Sequence, residues 1–297
     1  MTDSERPSSG TPEGRAPVAA VDLEAAWAGR VRANREQAER LRETQPGGDF
    51  YAPVSALFVA DPHRTDEPAL AYLRAMADPD ETWLDIGAGA GRYALPLALG
   101  AKAVIAVEPS AGMRGALRSG LAEHGIGNVR IVAGAWPDSL GQLGRLPAAD
   151  VSLIAHVGYD IEDIGPFLDA MEAATRRRCV AVLTDRSPAS VADPFWPLVH
   201  GEERVALPAL PELLEVLHAR GRGTEVIRVE RPPRTFESVD ALTAFLRRQL
   251  FIAEGSERDL RFLAVLPERI AQRDGAWTLV DRPAGSIGIV TWGPPGA

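Results

Sequence analysis

The segment Asp85-Ile86-Gly87-Ala88-Gly89-Ala90-Gly91-Arg92 sets glycines at alternate positions directly after an acid. It stands between a short apolar run and a stretch of helical character. Glycines at such a junction serve a tight turn and let a ligand come close to the backbone. The dinucleotide pattern G-x-G-x-x-G would put its third glycine at position 92, where the chain has Arg92. Asp85 bears on the same choice, because a carboxylate there disfavours a pyrophosphate and attracts an ammonium group. A second acid, Glu108, ends the next apolar run. It follows Gly91 by roughly the 20 residues at which nucleotide folds place an acceptor for ribose hydroxyls. Singly, each feature has a plainer reading, a ligand-free turn or a solvated acid. Together they point to an adenosine-type ligand carrying a positive charge.

The elements around these residues alternate. Five apolar runs, Thr82–Ile86, Ala103–Val107, Val129–Ala133, Val151–Ala155 and Val180–Thr184, are separated by helical stretches. Runs this rich in Val and Ile fit parallel strands covered on both faces, in a doubly wound α/β sheet. Arg176-Arg177-Arg178 is read as the cationic end of the helix before the fifth run. Upstream, Val21, Ala25, Ala28, Val31, Ala38 and Leu41 recur at helical spacing up to about Glu43, and a second helix spans Glu67 to Ala77. Gly47 and Gly48 then open a loop with Phe50, Tyr51 and Pro53.

Beyond Asp185 the expectation is a helix around Leu213–Leu217 and a strand from Thr224 to Val229. Helices at Val239–Ile252 and Glu257–Ala271 follow, then closing antiparallel strands at Trp277–Val280 and Ile287–Trp292. The expected organisation is a disordered tail over 1–18, a helical cap over 19–78 and an α/β core over 79–186. Residues 187–297 would complete the sheet and add helices on its ligand side.

Composition excludes several classes. The net charge of −9 argues against nucleic acid as the main partner. The single cysteine, Cys179, rules out a disulfide framework or a Cys-rich metal site. No apolar run reaches the length of a membrane span, and the polar start lacks a secretory pattern, which together suggest a cytoplasmic protein. Lys102 is the only lysine among 32 basic residues, a bias of composition rather than of chemistry.

From Thr82 to Asp185 the chain resembles the class I S-adenosylmethionine-dependent methyltransferases. Asp85–Gly91 looks like the family's first motif, and Val107-Glu108-Pro109-Ser110 like its acidic ribose position, followed by Gly112-Met113 near the adenine. The resemblance implies a Rossmann-like seven-stranded, mostly parallel sheet whose last strand is antiparallel, with helical N-terminal and C-terminal additions. It implies S-adenosylmethionine as cofactor, held by Asp85, Gly87, Ala88, Gly89, Gly91, Glu108, Pro109, Met113, Ala135, Trp136 and His156. The acid that many members carry after the third strand is missing from Gly134-Ala135-Trp136, so backbone groups or stacking by Trp136 would replace it.

By the same resemblance the fourth strand ends beside the transferable methyl, which makes His156 and Tyr159 the candidate catalytic groups. The implied reaction is methyl transfer to a small molecule, with a peptide as a further acceptor. Two other functions stay open: a SAM-binding module without catalysis, and an NAD(P)-dependent oxidoreductase. Asp160 and Asp185 are too few oxygens for a hard cation, so no metal is expected. Trp27 and Tyr51 lie where such enzymes often form a lid, although docking explains them equally. Phe195, Trp196 and His200 read as core rather than acceptor wall, Arg247 and Arg248 as a solvated helix face, and Cys179 as inert.

Overall fold

A computed structural model describes residues 19–44, 58–280 and 285–296. The proposed tail and the loop containing Phe50, Tyr51 and Pro53 lie outside these residues. Helix α1 (Ala20–Leu41) turns Trp27, Val31, Ala38 and Leu41 inward. After α2 (Pro68–Met76) the alternation begins, with β1 (Thr82–Ile86), α3 (Ala94–Ala98), β2 (Ala103–Glu108), α4 (Ala111–Glu123) and β3 (Val129–Ala133). It continues through β4 (Ala149–Ala155), α5 (Ile164–Ala174) and β5 (Thr175–Thr184). Then come α6 (Trp196–His200), α7 (Leu210–Ala219), β6 (Thr224–Arg231), α8 (Val239–Leu250) and α9 (Glu257–Val265). Strands β7 (Ile270–Arg273), β8 (Ala276–Leu279) and β9 (Gly285–Trp292) end the described chain.

The main sheet has the order β3-β2-β1-β4-β5-β9-β6. The first five strands run parallel, and β9 lies antiparallel between β5 and β6. An apolar layer packs on each face. One holds Trp27, Phe167, Leu213 and Trp292 beneath α1, α5 and α7. The other holds Leu70, Leu73, Trp83 and Leu95 beneath α2 and α3. A third cluster, centred on Phe195, Trp196 and Phe262, gathers α6, α8 and α9. These layers explain why β1, β2 and β4 read as continuous apolar runs.

Three expectations about elements are corrected. Arg176, Arg177 and Arg178 are not a helix end but exposed residues of β5. The helix stops earlier because Thr175 is extended and its hydroxyl donates to the Met171 carbonyl at 2.6 Å. The strand is then steadied by ion pairs of Arg176 with Asp150 and of Arg177 with Glu81. The helix expected over Glu257–Ala271 ends at Val265, passes through a 3-10 turn containing Pro267, and gives way to β7. The segment Trp277–Val280 is not a closing strand of the main sheet, since β8 pairs with β7 in a separate hairpin. The closing strand is β9 alone.

Arg247 also departs from its expected solvated position. It is a clamp between α8 and α9, bonded at 2.7 Å and 2.9 Å to the buried Asp259 carboxylate. Phe195 and Trp196 are core residues, as expected. Cys179 is fully buried, and burial pushes its thiol up to about 12, which leaves it unreactive. Among the described residues no helix is long and apolar enough to cross a membrane.

Candidate functional site

In a parallel sheet the strand order reverses where consecutive connections leave in opposite directions, and ligands bind outside the carboxyl ends there. Here that point lies between β1, which leads to β2 on one side, and β4 on the other. The glycine loop caps β1, Glu108 ends β2, and His156 follows β4, so the sheet gathers all three at one edge.

The three glycines do different work. A Cβ on Gly87 (φ +77°) would meet Val157 Cγ2 at 2.6 Å. One on Gly91 (φ +92°) would meet Leu117 Cδ1 at 2.6 Å and Leu95 Cγ at 2.8 Å. These two glycines therefore let the loop pack on the fold. Gly89 (φ +57°) has nothing within 4 Å of its Cβ position, so it is the one that leaves its face open. The loop's N–H groups are engaged internally. Gly87 and Ala88 donate to the Val107 carbonyl at 2.8 Å and 3.0 Å, and Gly91 donates to Ala88 at 2.9 Å. Gly89 donates to the Glu108 carboxylate at 2.8 Å.

Glu108 is buried, and its other oxygen accepts the Ser110 N–H at 2.7 Å. A carboxylate is an acceptor-only group, the kind that ribose hydroxyls bond. Ser110 caps α4 by accepting the Met113 N–H at 3.1 Å, which fixes the turn after Glu108. Asp85 is 2 % exposed, and its Oδ2 has no partner among the described residues. Burial, reinforced by the charge of Glu108, pushes it up to about 7, against a backbone hydrogen bond from Ala94. Two buried acids beside one open glycine make a site for positive charge.

The same geometry is a poor phosphate cradle. Phosphate loops present free N–H groups at a helix N-terminus. Here four of those groups are bonded within the protein, and Asp85 stands against the start of α3. That weighs against the nicotinamide-dinucleotide alternative.

Across the crevice, His156 has φ +57°, a left-handed conformation uncommon outside glycine. Its Nδ1 has no partner among the described residues. Burial, with help from the charges of Arg231 and Arg92, lowers its pKa to about 4 despite Glu67, so the ring is neutral at physiological pH. Its ring lies 6.4 Å from that of Tyr93. Tyr93 donates to Glu67, whose other oxygen takes Arg64 at 2.9 Å and Arg92 at 2.8 Å. Burial raises the Glu67 carboxyl, but the bond from Tyr93, the charge of Arg92 and the bond from Arg64 outweigh it and hold it below the usual range. This network ties the start of α2 to the end of the glycine loop. Glu67, Tyr93 and Arg231 gave no signal in the sequence because they come from three separate elements.

Tyr159 is 5 % exposed, and its hydroxyl accepts the Thr184 N–H at 2.8 Å and meets Thr184 Oγ1 at 2.9 Å. It fastens the loop after β4 to the end of β5. Trp136 is packed in the core with Phe167, and its indole N–H donates to the Phe167 carbonyl at 3.1 Å. A wide stacking platform is thereby not what this indole offers. Trp27 likewise is an anchor rather than a lid, being buried and donating to the Ile161 carbonyl at 2.8 Å. Pro109 and Ala135 are exposed near the ends of β2 and β3, and Met113 is buried under α4.

No family model matches the chain. An uncharacterised protein of Haemophilus influenzae is 26% identical over 200 residues, covering 66% of this chain and 72% of that protein. The solved structure of the YcgJ protein from Bacillus subtilis superposes with a TM-score of 0.52 at 18% identity, over 77% of this chain and 99% of the other. A chain described as a "putative methyltransferase" from Bacillus halodurans C-125 gives a TM-score of 0.51 at 15% identity, over 77% of this chain and 100% of that one.

The fold is the class I methyltransferase fold. Within it, the crossover from β3 to β4 makes the switch point between β1 and β4.

Proposed function

We propose that the chain transfers a methyl group from S-adenosylmethionine to a small-molecule acceptor at the crevice outside β1 and β4. The observation that carries this reading is the pair of buried acids, Glu108 and Asp85, beside the open face of Gly89. The residues suit the cofactor's chemistry. Glu108 is a carboxylate of the kind that accepts ribose hydroxyls, held at the glycine loop by the Gly89 N–H, and the unpartnered Asp85 Oδ2 suits the ammonium of the methionine part. Gly89 gives the backbone room that a close ligand needs. S-adenosylmethionine supplies an electrophilic methyl on a sulfonium, which an acceptor lone pair takes in line.

The chain's own contribution is chiefly positioning. Rigid placement of two reactants makes a bimolecular step effectively unimolecular. The glycine loop is fixed by its internal hydrogen bonds, and the β4 end is fixed by Tyr159 on Thr184. His156 is the group placed to take an acceptor proton at its unpartnered Nδ1. With a pKa of about 4 it is a weak base until something offsets the neighbouring cations. Calorimetric titration with S-adenosylhomocysteine tests the reading: saturable binding supports it, and no binding would remove it.

A further inference from the structure

Three arginines share the edge where His156 stands. Arg231 is the last residue of β6, and Arg234 lies just beyond it. Because β6 runs parallel to β5, its end falls on the same side of the sheet as the ends of β1 and β4. Arg234 is laid over two rings, with Cζ 4.3 Å from the Phe245 centroid and 5.7 Å from that of Phe236. Arg92 follows the glycine loop, its Cζ 6.0 Å from the Tyr93 centroid, and Tyr93 in turn abuts His156.

The carboxylates nearby do not balance these charges. Glu67 is shared by Arg64 and Arg92. Asp185, on the Tyr159 side, pairs with Arg228 and also takes Ser286. Among the described residues neither Arg231 nor Arg234 has a carboxylate partner. Withdrawal from water, then the charges of Arg231 and Arg92, hold Arg234 below the usual arginine range. Burial, then the charges of Arg231 and Arg92, depress His156. Arg231 is half-buried while Arg92 and Arg234 are exposed, and like charges gathered at one edge favour a ligand of opposite charge. A guanidinium stacked on aromatic rings is also pre-oriented, and its fork matches a planar or tetrahedral oxyanion.

We propose that the methyl acceptor is an anionic small molecule whose carboxylate or phosphate is bound by Arg231 and Arg234, with Arg92 at its flank and His156 facing the acceptor atom. This rests on the methyl-transfer reading above and adds the acceptor's chemical class to it. Burial is the main reason His156 is a weak base, and bound oxyanion charge offsets the smaller part that Arg231 and Arg92 add.

The test uses the full chain saturated with S-adenosylhomocysteine. Sodium phosphate and sodium malonate are titrated separately, while the His156 ring signal is followed by NMR against pH and heat is followed by calorimetry. The expected result is saturable binding of at least one anion with an upward move of the His156 titration. Phosphate alone would mark a phosphate-bearing acceptor, and malonate alone a carboxylate-bearing one. In the Arg231→Gln/Arg234→Gln double variant, anion affinity should fall about tenfold or more, with S-adenosylhomocysteine affinity kept within about twofold. Arg231→Gln alone serves if the double variant does not fold. Normal S-adenosylhomocysteine binding with no response to either anion overturns this proposal and leaves the cofactor reading standing. Anion binding in a protein that does not bind S-adenosylhomocysteine sinks the cofactor reading, and with it the assignment of the anion as a methyl acceptor.

Discussion

The Gly89 N–H donates to the Glu108 carboxylate at 2.8 Å, so the loop after β1 and the end of β2 are joined by one charged group. The Ser110 N–H shares that group. Glu108→Gln keeps the shape but removes the charge from both bonds and from any ribose contact. Charge-assisted bonds are worth about 1.5–3 kcal/mol. The variant should therefore bind S-adenosylhomocysteine roughly 10- to 100-fold more weakly and unfold at a lower temperature. Wild-type affinity in Glu108→Gln would show that the carboxylate is structural only.

Asp85 makes affinity depend on pH. Its ordinary value is 3.8 and its folded value about 7, so the folded protein holds this proton more tightly than the unfolded chain. The group's stabilising contribution is then complete below pH 3.8 and declines as pH rises towards 7. An ammonium prefers the ionised form, so S-adenosylhomocysteine, through its amino group, should bind more weakly below pH 7 and displace close to one proton at pH 6. Calorimetry in buffers of different ionisation enthalpy reads this directly. Asp85→Asn should release no proton, bind more weakly, and raise the unfolding temperature at pH 8.

His156 works in the opposite sense. Its ordinary value of 6.5 falls to about 4 in the fold, so the unfolded chain binds this proton first and stability rises with pH from 4 to 6.5. His156→Asn is the informative variant, because asparagine tolerates the left-handed backbone at this position. Denaturant melts should show a shallower pH dependence over that interval. Turnover should fall while S-adenosylhomocysteine affinity is retained, and unchanged turnover would remove the ring from the mechanism.

The glycines separate packing from binding. Gly91→Ala must displace Leu117 and Leu95, and should destabilise the fold by about 1–3 kcal/mol. Gly89→Ala meets open space, so its stability loss should be limited to about 1–2 kcal/mol of backbone strain. Its larger effect should be on cofactor affinity. Equal losses of affinity in two folded variants would contradict the division of roles.

Tyr159→Phe removes a hydroxyl bonded to the Thr184 N–H. Leaving that buried donor unsatisfied should lower stability by about 1–3 kcal/mol. Turnover per folded molecule, measured well below the transition, should fall by less than in His156→Asn, because Tyr159 only positions the β4 end.

The sheet was largely legible because burial on both faces writes itself into sequence. Thr82–Ile86 and Val129–Ala133 were bounded correctly from their apolar runs and the turns beside them. The first half of β5 was hidden because Arg176–Arg178 project beyond the covering layers and take polar partners. Pro267 and the β7–β8 hairpin were missed because short exposed strands carry little hydrophobic period. At the site, Asp85, Gly89 and Glu108 were readable from local spacing. Glu67, Tyr93, Arg231 and Arg234 were not, since they meet only through the fold and belong to no common motif. The inward bonds of Tyr159 and Trp136 were not legible, because a strand-end position alone does not say which way a side chain turns.

The most direct test of the central claim is a calorimetric titration of the purified chain with S-adenosylhomocysteine, run in parallel with NAD and repeated on Glu108→Ala. The account predicts saturable binding of S-adenosylhomocysteine, no binding of NAD, and a loss of affinity of about 100-fold or more in the variant. Binding of NAD without S-adenosylhomocysteine would contradict it.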